Sequence, residues 1–204
     1  MKMTFNQMLL ASSLAALMTV GAAQAQDAPR VGVRGAITAL DGDAMQVKVN
    51  SGEDVTVHLT KDTLVRAVTL AKIEDIKPGS YIGSAAMPNA DGTLTALEVH
   101  VFPPAMAGTG DGHRAFDLKE GSSMTNGTVG DLVVSHGRTL TVKYKGGEQK
   151  IVVPDDVPIV NLEPGDRSLL KPGVKVVMFA AKGADGSVTA QAISAGKDGV
   201  TPPM

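Results

Sequence analysis

A block of residues near the middle of the chain occurs a second time, 94 positions later, and this repeat constrains the fold more than any other feature. The block Ile76–Val99 contains Lys-Pro-Gly near its start and Ala-Asp-Gly in its second half. Leu170–Ile193 repeats both elements without a gap. An internal repeat of this kind indicates one supersecondary unit used twice. We therefore predict a tandem duplication of one small β module.

The residues before the repeated block alternate between apolar and polar side chains. Met45 and Val47 alternate with Gln46 and Lys48, which is typical of an antiparallel strand with one buried face. Asp-Gly at 41–42 and Ser-Gly at 51–52 favour tight turns. The pattern therefore predicts a meander of three strands.

A change of period follows the meander. Leu70, Ile73 and Ile76 are spaced by three residues, which predicts a short helix. A hairpin comes next, and its phase slips between Leu94 and Leu97, which predicts a β-bulge. Three strands, a short helix and a hairpin are the order of an OB-type barrel. We expect an all-β protein of two tandem small five-stranded OB-like barrels, each with one short helix, and SH3-like barrels are the alternative.

The predicted organisation has five segments. They are a signal peptide at 1–25, a first β-barrel module at 31–102, a Gly/Pro/Met-containing connecting segment at 103–126, a second module at 127–196 and a C-terminal tail at 197–204. In the second module, Val152, Val177 and Phe179 place apolar groups on the face that should be solvated. We expect this face to be buried against the first module or a partner.

The first residues predict export. Lys2 precedes an apolar run from Met8 to Val20, and Ala-Gln-Ala at 23–25 is typical of a cleavage site, so we expect a secretory signal peptide and a periplasmic location. No later apolar run is long enough for a transmembrane segment. The chain has no Cys, so we expect no disulfide and no thiolate ligand.

Lys-Pro-Gly at 77–79 and the Asp-Gly and Thr-Ala pairs at 91–92 and 95–96, repeated at 171–173, 185–186 and 189–190, carry a resemblance. They resemble a bacterial family of exported domains of unknown function, small OB-like β-barrels, here in tandem. The resemblance covers both modules, and its motifs describe a fold. It implies no catalytic or binding residue.

Composition and motifs exclude several function classes. The net charge of −2, the aromatic content of 3% and the absence of Trp are unlike a nucleic-acid-binding surface. The chain lacks a nucleophile elbow, a zinc-protease motif and a phosphate-binding loop. We expect a non-enzymatic protein with no catalytic residue and no cofactor.

The remaining prediction is a binding or scaffolding role in the cell envelope. Outward positions of the second and third strands and the connecting segment carry basic side chains suited to an anionic small molecule, a glycan or an envelope protein. The candidate ligand-binding residues are Lys48, His58, Lys143, Lys145 and Arg114.

The alternative function is binding of copper or another metal. Imidazole and thioether groups suit copper, and four of them lie in or beside the connecting segment. The candidate ligands are His100, Met106, His113 and Met124. Their spacing matches no compact ligand motif, and gap-filling Met and surface His residues explain the same pattern.

Overall fold

The computed structural model describes residues 30–133 and 138–204, so the predicted signal peptide lies outside the described residues. These residues form thirteen β-strands. The strands are β1 Arg30–Asp41, β2 Ala44–Val49, β3 Asp54–His58, β4 Leu64–Leu70, β5 Tyr81–Pro88, β6 Leu94–Val101, β7 Gly112–Ala115, β8 Ser123–Val133, β9 Arg138–Tyr144, β10 Gly147–Val153, β11 Ile159–Pro164, β12 Lys175–Lys182 and β13 Val188–Gly196. The expected all-β class is confirmed.

Apolar and polar residues alternate along the outer strands, and this pattern explains which of their side chains are buried. In β2, Met45 and Val47 are fully buried and Lys48 is exposed, as the period of two predicts. The predicted bulge is confirmed in β6, because Ala85 lies opposite Glu98 whereas Ala86 lies opposite Ala96. Leu97 is the extra residue.

The predicted helices are single 3-10 turns. They span Ile73–Asp75 and Arg167–Leu169, and a third such turn, Pro104–Met106, lies in the connecting segment. That segment also contains β7 and the first residues of β8. Within the described ranges, no helix has the length and apolar character needed to cross a bilayer.

The strands form one sheet, so the prediction of two tandem five-stranded barrels is wrong. Along the sheet the order is β10, β9, β8, β5, β6, β11, β4, β13, β12, β1, β2 and β3, and β7 pairs with β8. The hairpin β5–β6 of the first half pairs with β8 of the second half, and β12–β13 pairs with β1 of the first half. Because the two hairpins have similar sequences, each can pair with the strands that the other would pair with in two separate modules. Domain swapping exchanges equivalent elements in the same way.

Each end of the sheet bends back through a short parallel pairing. Ile151 and Val152 of β10 pair with Leu94 and Thr95 of β6. At the other end, β13 pairs with β3 in the same way, through Val188 and Val57. One hydrophobic cluster fills each end, and each cluster contains side chains from both halves of the sequence.

The middle of the sheet joins the two ends. There β4 and β11 are antiparallel neighbours, and Val68 lies opposite Leu162. These two residues pack with Tyr81, Phe102 and Val160 in a third buried cluster. The middle strands also form the walls of a cavity.

Candidate functional site

A cavity of about 290 Å³ lies between strands from the two halves. One wall comes from β6 and β8, the opposite wall comes from β11, β12 and β13, and the connecting segment contributes Thr109, Gly110, Arg114 and Phe116. The size and the mostly apolar lining are typical of a site for a small molecule. We call it the central cavity.

Three arginines line the central cavity. They are Arg30 at the start of β1, Arg66 in β4 and Arg114 in β7. No Asp or Glu side chain is among the described lining residues. Burial lowers the pKa of Arg66 below its ordinary value, because the charged guanidinium has lost water. The described lining of the cavity therefore contains three cationic side chains and no carboxylate side chain.

Two phenylalanines form the mouth of the cavity. The rings of Phe116 and Phe179 have centroids 6.0 Å apart, and Phe179 is 40% exposed. The guanidinium of Arg34 lies 5.7 Å from the Phe116 centroid and 5.9 Å from that of Phe179. Arg34 also pairs with Asp117 at 2.6 Å and lowers the pKa of that carboxyl. This ion pair holds the connecting segment beside the mouth.

A buried pair of ionisable side chains lies at the base. Glu98 is 0% exposed and His100 is 3% exposed, and both belong to β6. His100 Nδ1 lies 3.2 Å and 3.0 Å from the two carboxylate oxygens of Glu98. The backbone N–H of Ala85 also donates to Glu98, at 2.8 Å. Nδ1 faces two carboxylate oxygens and donates to them, and Nε2 is the ring nitrogen outside this contact.

Asn126 in β8 has one unsatisfied atom at the base. Its Nδ2 donates to Thr109 O at 3.0 Å, which fixes the orientation of the amide. Its Oδ1 is the buried side-chain oxygen that lacks a hydrogen-bond partner within the described part of the chain. An unsatisfied buried acceptor costs about 1–3 kcal/mol. Asn126 lines the central cavity, so this unsatisfied oxygen lies beside it.

Tyr81 attaches the connecting segment to the sheet. Its hydroxyl donates to Thr109 O at 3.2 Å and to Asp111 Oδ1 at 3.3 Å. Asp111 Oδ2 in turn accepts the N–H of Lys145, at 2.8 Å. These contacts place Thr109 and Gly110 over the central cavity.

We expect Tyr81 to titrate near pH 12. Burial, and then the charge of Asp111, raises the pKa of Tyr81 to about 12 from 10.0. Because the pKa of Tyr81 is higher in the folded state than in the unfolded state, the protonated phenol stabilises the fold. This contribution to the free energy of unfolding is complete below the unfolded-state pKa and is lost as the pH rises through the folded-state pKa. Ultraviolet absorbance of the phenolate measures the midpoint, and Tyr81→Phe identifies the signal. Asp111→Asn should lower the pH midpoint of the Tyr81 titration. A midpoint near pH 10 in the unmodified chain would contradict the contact between Tyr81 and Asp111.

The predicted ligand-binding residues lie in different places. Arg114 lines the central cavity. Lys48 is exposed beside Asp54, at 3.9 Å, and His58 is exposed in β3 at an open groove. Lys143 in β9 and Lys145 in the next turn are exposed on the other half. The structure therefore brings one of the five into the cavity.

The predicted metal ligands are divided in the same way. His100 and Met124 line the central cavity. Met106 packs against the third hydrophobic cluster, and His113 lies 2.8 Å from Thr125 Oγ1 with its ring stacked on Tyr144. In residues 30–133 and 138–204, no group of three or more His, Asp or Glu residues is placed to hold a metal ion.

Sequence reasoning missed Arg30, Arg66, Glu98 and Asn126. Arg66 lies in β4, a strand that precedes the predicted short helix and that the predicted five-strand order did not include. The available signal was the spacing of Glu98 and His100 by two residues, because alternate residues of one strand share a face. An acid and a histidine on a common face form a candidate pair.

Comparison with known families adds one finding. Residues 34–100 match the model of a family described as Domain of unknown function (DUF5666). The match begins in β1 and ends at His100, so it covers less than half of the chain. No curated protein and no solved structure matches the chain. A domain of unknown function in the first half is thus confirmed, and its second copy stays a prediction.

Proposed function

We propose that this chain is an exported, periplasmic, non-enzymatic binding protein and that its central cavity holds a small organic anion. One observation carries the proposal: three arginines line a cavity whose described walls present no acidic side chain. Guanidinium groups present forked donors that match a carboxylate. The predicted signal peptide supports export, and the repeated block supports a second copy of the matched domain.

The apolar walls limit the kind of anion. Besides the arginines, apolar side chains line the cavity, among them Phe102, Met124, Leu162 and Val177. An inorganic ion would leave these apolar side chains in contact with water, whereas the hydrocarbon part of an organic acid would pack against them. A volume of about 290 Å³ suits a small molecule better than a polymer. We therefore favour a small carboxylate over a glycan or an envelope protein.

Metal binding stays the alternative function. Its strongest support is that His100 and Met124 share the central cavity. Calorimetric titration with Cu(I), Cu(II) and Zn(II) tests it, and His100→Ala should abolish any binding that uses this pair. Metal binding without anion binding would favour the alternative.

We expect Arg66→Gln to weaken binding of butanoate about tenfold to a hundredfold, because a charged hydrogen bond contributes about 1.5–3 kcal/mol. Isothermal titration calorimetry of the chain from Gln26 onward measures the affinity, and added salt should weaken it. Lys61→Gln is the matched control, because it removes one positive charge at a side chain that is 90% exposed. Equal losses in the two variants would mean that overall charge, and not the cavity, attracts the acid.

A further inference from the structure

The base of the central cavity contains two side-chain atoms that both accept hydrogen bonds when His100 is neutral, Oδ1 of Asn126 and Nε2 of His100. Asn126 in β8, Gly83 in β5 and His100 in β6 lie opposite one another across three neighbouring strands. Residues opposite one another in a sheet share a face. The side chains of Asn126 and His100 therefore flank a position that has no side chain.

Gly83 lets these two side chains approach the backbone of β5. A Cβ atom on Gly83 would overlap Nε2 of His100 and would lie 2.6 Å from Oδ1 of Asn126. Both atoms thus lie over the Gly83 backbone, in the space that a Cβ atom would need. Asn126 is 5% exposed and His100 is 3% exposed, so these acceptors lie at the protected end of the cavity.

A cation lies beside this pair of acceptors. A Cβ atom on Gly110 would lie 2.9 Å from Nδ2 of Asn126 and 3.3 Å from Nη2 of Arg114. The Arg114 guanidinium is held there, because its Nη1 donates to Gly110 O at 2.7 Å. The cavity therefore presents a positive group for an anion next to two acceptors for hydrogen-bond donors.

The other half of the sheet lacks these acceptors. At its equivalent pairings, Arg34 lies opposite Val177, and Val177 lies opposite Ser194. Arg34 is engaged with Asp117, and Val177 fills the position that Gly83 leaves open. The same strand pairings therefore form without an Asn, a Gly and a His, so the fold does not require them.

We propose that the central cavity selects carboxylates that carry hydroxyl groups. The carboxylate pairs with the arginines, and the hydroxyl groups donate to Oδ1 of Asn126 and Nε2 of His100. An ammonium group would also donate, but it would add a positive charge to a cavity that already holds three arginines. This inference rests on the proposed binding of an organic anion.

The test uses three acids of equal length that differ in the number of hydroxyl groups: propanoate, lactate and glycerate. Isothermal titration calorimetry with the chain from Gln26 onward should show that affinity rises from propanoate to lactate to glycerate, about tenfold for the first hydroxyl. Hexanoate and gluconate repeat the comparison with a longer chain. The acid series on the unmodified chain decides the question even if a variant does not fold.

Variants assign the selectivity to named atoms. Asn126→Ala should remove most of the preference for lactate over propanoate. Arg114→Gln should weaken the binding of both acids and keep the preference. Ser51→Ala is the control, because it removes an exposed hydroxyl group in a turn outside the central cavity. Far-UV circular dichroism checks that each variant is folded.

Each remaining outcome contradicts one of the two proposals. Equal affinity for the three acids would overturn hydroxyl selection and leave anion binding intact. A preference for lactate that survives in Asn126→Ala would also overturn hydroxyl selection by these acceptors. Failure of all five acids to bind at tens of millimolar would overturn the anion site itself.

Discussion

Replacing Glu98 with Ala should lower the free energy of unfolding by about 3–5 kcal/mol, the range seen when one partner of a buried pair is removed. The substitution leaves Nδ1 of His100 and the N–H of Ala85 without the acceptor that each now uses. Both groups lie where water does not reach, since Glu98 is 0% exposed. Urea unfolding followed by far-UV circular dichroism measures the change.

Two further glutamate variants make this result specific. Glu98→Gln keeps one acceptor oxygen and should cost less than Glu98→Ala. Glu163 in β11 is half-buried and accepts one hydrogen bond from Thr69, at 2.9 Å, so Glu163→Ala should cost only about 1 kcal/mol. If Glu98→Ala cost no more than Glu163→Ala, the buried pair at the base of the cavity would not exist as described.

The strands of the meanders and hairpins and the bulge could be predicted because they depend on local sequence, whereas β4, β7 and β11 were not predicted. A period of two placed Met45 and Val47 on one face, and the phase of Leu94 and Leu97 located the extra residue in β6. Val177 lies on a strand face that would be solvated in an isolated module, and its apolar side chain predicted that this face is covered. Val177 is buried, in the wall of the central cavity. Phe179 was expected to be buried as well, but it lies at the mouth and is 40% exposed.

The pairing partners of the hairpins could not be predicted in the same way. The repeat gives β5–β6 and β12–β13 nearly the same pattern, so each hairpin is compatible with the strands of either half. Alternation fixes which face of a strand is buried, but it does not say which copy supplies the neighbouring strand. The choice between two tandem units and one continuous sheet therefore depends on the chain between the copies.

The candidate site was harder to predict for a related reason. The central cavity lies between strands from both halves, so Arg66 and Asn126 line one cavity because strands of the two halves pair with each other. His100 was expected to point outward and to be solvated. It is buried because the sheet covers both faces of β6, and Glu98 then becomes necessary as its partner. A second buried face is a tertiary property that alternation along one strand does not reveal.

Gly127→Ala should destabilise the protein by about 3 kcal/mol, the upper part of the range for overpacking. Gly127 lies in β8, where a Cβ atom would overlap the carbonyl oxygen of Lys143 and lie 2.9 Å from its carbonyl carbon. Backbone atoms of a paired strand cannot move aside without breaking the pairing of β8 with β9. Urea unfolding measures the loss of stability. Because the added methyl group disturbs the pairing of β8 with β9, we expect the amide hydrogens of these two strands to exchange faster in the variant.

Gly130→Ala in the same strand is the matched control. There the added Cβ would lie 2.8 Å from Cε of Lys143, which belongs to a flexible, exposed side chain that can rotate away. Alanine also reduces the conformational entropy of the unfolded chain, so we expect a change of less than about 1 kcal/mol in either direction. The two variants add the same methyl group against the same residue, Lys143, and differ in whether backbone or side chain must yield. Similar losses for both would mean that β8 and β9 are not held in the described register.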